Sequence, residues 1–483
     1  MRLQEFTAEL EEERVALNLE FYKQYAGLEC SAKFMDEKAA RIQGLCVTGL
    51  DSFDRDELPE LLYYALVVGK VAQQMTKLQN ELYRKRQEDV VVEVADEKVN
   101  LNNVRLFNHR HVRDYELRKE AFDGLMERAP SLTAAIRERF DLVKKTYAEY
   151  GLDPLEVYCL QEEVSLPRLK ELVHVAGTRA KPHFLEMVEE LSPEVIGKPM
   201  EYFDDFYVFR HVINDRFNPY FEEVDYYGLL RKTAEYLGLK AEDVNVDGEP
   251  REGKHSSPVC FGIRIPGDVR ILYQSTDPYG DYTSFFHEMG HGLHFVSVDP
   301  GRPYHDRALI QRSVAETFST LFEELAQDPL FLKEEVGLSE DVITHVEERR
   351  RFMDLFFLTF YAANSMLKIE YWEEGLTMGD ADGEYERLSK QYTGIPMPGI
   401  YWQTHHIMGM YILYAPSYLL ANIRKSELLE KLKGEFGDKW WRVREAGGYL
   451  RRECMGPGAA IDLSSFSKLD PEPYLRGVLG TET

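Results

Sequence analysis

The amino-acid sequence predicts a mainly α-helical fold with one small β region. Apolar residues recur every three or four positions from the start of the chain to about residue 245, and again beyond residue 300. Between these helical parts, residues 249–273 contain Val and Ile in alternation with other residues, which is typical of strands. No Gly/Ser-rich or Pro-rich linker interrupts the 483 residues. We therefore expect a helical N-terminal lobe over 1–248 and a second lobe over 249–483.

Short signals separate the helices of the first lobe. The helical pattern is clearest in LPELLYYALVVGKVAQQMTKLQNELYRKRQ. The pairs Asp153-Pro154 and Ser192-Pro193 are predicted helix starts, because Asp and Ser cap a first turn and Pro fits inside it. The segment EDVVVEV at 88–94 alternates β-branched residues and predicts a short strand, although the sequence indicates no partner for it.

The second lobe begins with a predicted hairpin. Residues 259–265 and 269–273 alternate, and the turn residues Pro266, Gly267 and Asp268 join them. A loop with the sequence STDPYGDY is expected next, followed by a helix that contains HEMGH. Beyond residue 300 the chain is helical again, with predicted breaks at Asp328-Pro329, at GDADGEY and at GIPMPGIYW.

The charge balance limits the classes of partner. There are 58 basic and 84 acidic residues, and the formal net charge is −26. Such a chain repels phosphate backbones and anionic membranes, so neither nucleic acid nor a membrane is an expected partner. Most of the acidity is expected on the solvated surface, although a channel for cationic ligands stays open as an alternative.

The cysteines and the N-terminus indicate a cytoplasmic protein. The five cysteines are far apart, odd in number and without a CxxC pair, which argues against a disulfide framework and against a cysteine-based zinc site. The N-terminal segment alternates apolar and charged residues and offers no apolar core for export. No stretch of about 18 apolar residues predicts a membrane-spanning helix.

The stretch HEMGH at 287–291 places two histidines four positions apart. On a helix these positions are offset by about 40° around the axis and by one turn along it, so both imidazoles can reach one ion. Zinc binds histidine nitrogens at about 2.0–2.1 Å, and a catalytic site needs a third protein ligand. The motif predicts His287 and His291 as zinc ligands and Glu288 as a general base. Taken alone, it also fits two surface histidines.

The HEMGH helix carries further local signals. Asp281 or Thr283 can cap its start, since both are frequent N-cap residues. Gly290 and Gly292 are costly inside a helix, and they indicate that another element approaches closely.

Two residues compete for the place of the third ligand. His294 lies nearly in line with His287, but about 10 Å further along the helix axis, so we expect it to have a structural or supporting role. Glu316 stands in QRSVAETFSTLFEEL, near the middle of a predicted helix and among small and apolar residues. A carboxylate in such surroundings favours a cation as its partner. Glu323 and Glu324 in the same helix are expected to be solvated.

These motifs resemble those of known zinc peptidases. HExxH with a glutamate 25 residues after the second histidine resembles the glutamate-ligated peptidases, and VAETFSTLFEE and HEMGHGLH are similar to the active-site helices of the thimet oligopeptidase and oligoendopeptidase F family. The resemblance implies one Zn²⁺ per chain with ligands His287, His291 and Glu316, and Glu288 as base. It also implies a zincin-like helical metallopeptidase with two lobes around a deep cleft and a small β-sheet beside the active site.

The same family has a late histidine and two tyrosines at the reaction centre. In THHIMGMYILYAPSYLLA, His406, Tyr411 and Tyr418 have the corresponding spacing of five and seven residues, with His405 as an alternative to His406. The resemblance implies that these side chains donate hydrogen bonds to the developing oxyanion, and one such donor is typically worth about 2.7–4 kcal/mol. Core packing is the alternative role for each tyrosine. Where some related peptidases have Asp four residues after the glutamate ligand, this chain has Thr320.

The sequence thus predicts a zinc oligoendopeptidase that hydrolyses short peptides. Its hairpin edge is expected to pair with an extended substrate. Two alternatives stay open. One is a metallocarboxypeptidase on a similar helical scaffold, which needs a cation for the terminal carboxylate of its substrate. The other is a helical binding protein that kept the motif without catalysis.

Overall fold

Helices dominate the structure and confirm the mainly α fold class. The structure is a computed structural model and describes residues 2–204, 206–274, 277–405 and 413–480. In chain order the α-helices are α1 Leu3–Tyr25, α2 Ala32–Ser52, α3 Glu60–Glu88, α4 Val104–Arg110, α5 Tyr115–Arg128, α6 Thr133–Glu149, α7 Pro154–Gln161, α8 Leu166–Val195, α9 Phe206–Phe221, α10 Tyr226–Leu237, α11 Pro278–Ser297, α12 Tyr304–Ala308, α13 Arg312–Ala326, α14 Pro329–Phe331, α15 Glu340–Glu374, α16 Met378–Tyr392, α17 Tyr401–Thr404, α18 Ala415–Phe436, α19 Arg444–Tyr449, α20 Leu463–Phe466 and α21 Glu472–Leu479.

Single turns of other helix types join some of these elements. The 3₁₀ turns are Arg55–Glu57, Ala129–Leu132, Ala241–Asp243, Trp440–Arg442 and Gly458–Ala460. Two π-helical turns, Leu332–Val336 and Leu450–Met455, directly follow α14 and α19.

The strands form two small sheets. β1 Val91–Val94 and β2 Glu97–Asn100 are an antiparallel pair, so the predicted strand at 88–94 has a partner three residues beyond its end. The second sheet has the order β3-β5-β4, with strands β3 Val244–Asp247, β4 Val259–Arg264 and β5 Asp268–Leu272. β4 and β5 are the predicted hairpin, and β3 adds to β5 in parallel. β4 is therefore an edge strand of this sheet.

The chain folds into two compact units. The first comprises Met1–Gln73, Phe217–Glu347 and Leu420–Pro473, and the second comprises Gln74–Arg216, Glu348–Leu419 and Tyr474–Thr483. Residue 248 lies inside the first unit, so the observed units do not meet at the boundary expected at 248/249. The expected lobes, 1–248 and 249–483, and the cleft between them stay a prediction.

Some of the predicted helix boundaries are confirmed and others are wrong. Asp153 caps α7 at its predicted start, and the predicted break at Asp328-Pro329 lies between α13 and α14, which Asp328 caps. Ser192-Pro193 is not a helix start, because both residues lie in the last turns of α8. GDADGEY is not a break either. It lies inside α16, which Thr377 caps through a reciprocal bond with Asp380.

In the first unit, α11 packs between the three-stranded sheet and α13. Its buried residues include Phe285, Phe286, Met289 and Leu293. On the opposite face of the sheet, α1 contributes Tyr22 and Ala26 to a small cluster with Ile263 and Leu272. The sheet is thus covered on both faces, and β4 is held between α1 and α11.

The second unit has its own core, which includes a fully buried ion pair. The Arg118 guanidinium donates to Asp204 Oδ1 at 2.9 Å and also to the carbonyl of His111 at 3.1 Å. Around α8, the ring of Phe184 packs against Phe352 and Phe356 of α15. The ring contacts join α8 to α15, and the ion pair joins α5 to the segment that precedes α9.

Two further features bear on the class of protein. Within the described ranges, no helix combines the length and the apolar character that a membrane crossing requires. The five cysteines are all free thiols.

Candidate metal centre

The helix that carries HEMGH is capped at Asp277, four residues before Asp281 and six before Thr283, the two predicted caps. α11 starts at Pro278 after Asp277, and the Asp281 carboxylate accepts from the amide of Asp277 at 2.8 Å. Asp281 therefore stabilises the first turn from inside the helix. Thr283 donates back to the carbonyls of Tyr279 and Gly280, as Thr in a helix commonly does. Part of the predicted STDPYGDY loop is thus helical.

The two glycines of α11 are positions of close approach. A Cβ at Gly290 would lie 2.7 Å from Ser319 Cα, so the backbones of α11 and α13 are in direct contact there. A Cβ at Gly292 would meet the side-chain ends of Ile271 and Val244 at 3.2 Å, on the sheet side of the helix. Both glycines have the role that the sequence predicts for them.

This close approach brings Glu316 of α13 to His287 and His291. Glu316 Oε2 lies 3.4 Å from His287 Nε2 and 3.5 Å from His291 Nε2, and one donor atom from each residue lies within 4.8 Å of the others. Among the residues that the structure describes, this is the one group of His, Cys, Asp and Glu that could hold a metal ion. Their side chains are only 20%, 13% and 12% exposed for His287, His291 and Glu316.

The donor spacing fits zinc. With ligand bonds of about 2.0–2.1 Å, the edge of a tetrahedron around zinc is about 3.3 Å. The two distances from Glu316 Oε2 to the histidine nitrogens, 3.4 and 3.5 Å, are close to this value. Two imidazoles and one carboxylate are also a ligand set that catalytic zinc sites use.

The electrostatics of the group show strong mutual stabilisation. Burial raises the pKa of Glu316, but its bonds to His287 and His291 outweigh this and hold that pKa well below its usual range. Burial lowers the pKa of His287, and the bonds to Glu316 and Glu323 outweigh it and hold that pKa well above its usual range. A cation between these residues would take the place of the histidine proton.

Glu323 is a functional candidate that the sequence analysis placed in solvent. Its Oε2 lies 2.8 Å from His287 Nδ1, the ring nitrogen that faces away from Glu316. A carboxylate at this nitrogen fixes the tautomer and the orientation of a metal-binding histidine. The signal was available, because seven residues on a helix are close to two turns and place Glu323 on the face of Glu316. Glu316 itself accepts from Ser319 Oγ at 3.0 Å.

Glu288 contacts the edge strand beside the metal centre. The backbone amide of Cys260 in β4 donates to Glu288 Oε2 at 2.7 Å. One carboxylate oxygen is thereby held by the sheet, while the residue is partly exposed. The contact ties the position of Glu288 to that of β4.

His294 lies away from the metal donors. It is fully buried, and its ring packs 4.4 Å from the ring of Phe318. Burial, with a smaller contribution from His291, lowers the pKa of His294 to about 3, so its imidazole is neutral at physiological pH. These surroundings agree with the structural role expected for it.

The structure describes only some of the residues predicted to lie at the reaction centre near the end of the chain. His406 and Tyr411 lie outside the described residues. Tyr418 belongs to the second unit, where its hydroxyl is 2.8 Å from that of Tyr414 and its ring packs against Tyr361. His405, the alternative to His406, is buried in the same unit with its ring 4.9 Å from Phe360.

Comparison with known proteins gives matches among solved structures. No family model matches the sequence, and no curated protein matches it. Among solved structures, Trypanosoma cruzi metallocarboxypeptidase 1 matches with a TM-score of 0.58 and 16% identity, over 98% of each chain. At this identity the match establishes a shared fold over essentially the whole chain. That fold is the one of a metallocarboxypeptidase, and the resemblance to the oligoendopeptidase F family stays a prediction.

Proposed function

We propose that the chain is a zinc-dependent peptidase that hydrolyses short peptides. The observation that carries the proposal is the group of His287, His291 and Glu316 at the spacing of a tetrahedral zinc site, with Glu288 next to it on the same helix. We infer that the three residues hold one Zn²⁺ per chain. When bound, zinc lowers the pKa of a water and polarises a carbonyl.

In this proposal Glu288 moves the proton. One of its oxygens accepts from the Cys260 amide, which leaves the other for the attacking water. Glu288 accepts a proton from that water and delivers it to the leaving amine. The hydrogen bond from β4 holds the carboxylate in place during both transfers.

The assignment of the side chains that would stabilise the oxyanion depends on the family resemblance. His406, Tyr411 and Tyr418 are proposed donors to the developing charge, since an imidazole or a phenol can donate to an oxyanion. In the second unit, Tyr414 is within hydrogen-bond distance of Tyr418 and can fix the direction of its hydroxyl.

Two modes of cleavage are supported by different observations. The motif pattern favours an oligoendopeptidase, which cleaves inside short peptides. The fold shared with a metallocarboxypeptidase over 98% of both chains favours removal of C-terminal residues. A carboxypeptidase additionally requires a cation that binds the free carboxylate of its substrate. In either mode, the outer edge of β4 can offer backbone groups to an extended peptide.

The Glu288→Gln variant tests the chemistry. Removal of a general base typically lowers the rate by about 10²–10⁴-fold, and we expect zinc to be retained because the three ligands are unchanged. The measurements are zinc content and hydrolysis of a mixed peptide library by mass spectrometry. Glu29→Gln, at an exposed site between α1 and α2, is the control. Undiminished hydrolysis by Glu288→Gln would contradict the mechanism, and absence of hydrolysis in the zinc-loaded wild type would favour a binding protein.

The mode of cleavage is tested with pairs of peptides that differ only at the C-terminus. One member of each pair has a free carboxylate, and the other is amidated. A carboxypeptidase requires the carboxylate and releases single residues from that end, whereas an oligoendopeptidase cleaves both members at the same internal bond. Short peptides as substrates are a proposal that follows from the motifs, and the absence of nucleic-acid and membrane partners is one that follows from the charge of −26. A cytoplasmic location is a proposal that follows from the cysteine pattern and the N-terminal segment.

A further inference from the structure

The outer edge of β4 has few backbone groups left for a substrate. Cys260 donates its amide to Glu288, and Gly262 accepts from Asn18 Nδ2 of α1 at 3.4 Å, so both residues direct their backbone polar groups away from β5. In an antiparallel ladder the alternate residues Val259 and Phe261 then bond to β5. The Cys260 amide and the Gly262 carbonyl are thus already occupied. Between them, the backbone groups that face outward from the sheet are the Cys260 carbonyl and the Gly262 amide.

These two backbone groups determine which residue of a bound peptide lies opposite Phe261. The Cys260 carbonyl and the Gly262 amide flank Phe261, and together they can bond a peptide that runs in either direction along β4. In both directions, the peptide residue opposite Phe261 points its side chain to the same face of the sheet as Phe261. That face is the one covered by α1, because Cys260 and Gly262 lie on the α11 side, where Gly262 approaches Phe295.

The face that receives this side chain is aromatic. The ring of Phe261 packs edge-on against Tyr25, with centroids 5.5 Å apart, and Tyr25 is 39% exposed near the end of α1. The exposed ring of His255 lies 5.1 Å from Tyr25, and the amide of His255 donates to the carbonyl of Tyr25.

We propose that Tyr25 and Phe261 form a specificity subsite that binds one aromatic or large apolar side chain of the peptide substrate. The peptide is held at this position by the Cys260 carbonyl and the Gly262 amide. The subsite is connected to the metal centre through Cys260, whose amide holds Glu288. It rests on the proposed peptidase function, and it names the side chain that this enzyme prefers at one position near the cleaved bond.

The test compares three Leu variants on peptide series in which one position at a time is Phe, Leu or Gly. Tyr25→Leu and Phe261→Leu should lower the preference for Phe over Gly at one position by about two- to tenfold, the range that aromatic packing typically contributes. The loss is expected in KM more than in kcat. Phe21→Leu is the matched control, because Phe21 is 41% exposed on the same helix one turn earlier.

A binding measurement keeps the two proposals distinguishable. Zinc-loaded Glu288→Gln, alone and combined with Tyr25→Leu, is titrated with the Phe and Gly peptides by calorimetry, and the combined variant should lose the difference between them. If the wild type cleaves peptides and Tyr25→Leu leaves the preference unchanged, the subsite is wrong while the peptidase proposal stands. If the zinc-loaded wild type cleaves no peptide, both are overturned. Since Tyr25 is exposed, its variant decides the question even if Phe261→Leu fails to fold.

Discussion

Replacement of Gly290 with Ala tests whether the close approach of α11 and α13 sets the spacing of the metal ligands. The atom nearest to the added Cβ would be the carbonyl oxygen of Phe318, and the Cβ would also lie 2.7 Å from Ser319 Cα and 3.0 Å from the carbonyl carbon of Phe318. All three atoms belong to the α13 backbone, so no side-chain rotation relieves the contact. Because ordinary contact begins at 3.4 Å, the helices have to separate by at least about 0.7 Å at this point.

The separation acts directly on the distances between the metal ligands. The 3.4 and 3.5 Å distances from Glu316 to His287 and His291 would grow to about 4 Å, beyond the edge of about 3.3 Å that zinc requires. We expect zinc affinity to fall by about 10–100-fold, comparable to the loss of a residue that orients a ligand. The stability of the metal-free protein should fall by at most about 2 kcal/mol, because overpacking costs about 1–3 kcal/mol and Ala regains about 1 kcal/mol of helix propensity.

The assay is a zinc competition titration against a chromophoric chelator, combined with urea unfolding of the metal-free protein. Gly292→Ala is the matched control, since its Cβ would meet the movable ends of Ile271 and Val244 at 3.2 Å. We expect this variant to bind zinc like the wild type. Equal zinc affinity for Gly290→Ala and Gly292→Ala would refute the reasoning, because the helix spacing would then not control the site.

Three further predictions concern the metal and the pH dependence of stability. Glu323→Gln should weaken zinc binding by about 10–100-fold by releasing His287, as measured in the same titration, and unchanged affinity would remove Glu323 from the site. Removal of zinc with a chelator should lower the Tm, with recovery on addition of Zn²⁺ but not of Mg²⁺, and a Tm insensitive to zinc would contradict the proposed ligands. Burial and the neighbouring Glu384 raise the pKa of Glu370 to about 7 from 4.5. The stability contributed by this group is therefore complete below pH 4.5 and is lost as the pH rises through about 7. Urea unfolding across that range should show a steeper loss for the wild type than for Glu370→Gln, and parallel curves would contradict the shifted pKa.

Local patterns in the sequence were sufficient for the hairpin and for α11. Alternation and the turn at Pro266-Gly267-Asp268 predicted β4 and β5, because the partners adjoin in sequence. β3 was not predicted, since a four-residue strand has little pattern and its partner β5 begins more than twenty residues later. Non-local pairing of this kind depends on the tertiary fold, and no local propensity indicates it.

In the candidate site, too, the sequence predicted some residues and contacts and missed others. Spacing and composition indicated His287, His291 and Glu316, and the structure places these three residues together. The hydrogen bond from Cys260 to Glu288 had no sequence signal, because a backbone amide donates whatever the side chain. Glu323 was expected to be solvated, as most glutamates are, whereas its carboxylate lies 2.8 Å from His287 Nδ1.

The geometry of the centre depends on contacts outside the motif. The helix spacing at Gly290 sets the separation of the ligands, Glu323 orients His287, and β4 holds Glu288. Each contact connects α11 to another element of the first unit, so the positions of the candidate ligands depend on the fold around the motif. The same HExxH residues in a helix without such neighbours would not form a defined metal site. The neighbours of the motif, more than its letters, are therefore the evidence for a metal centre in this chain.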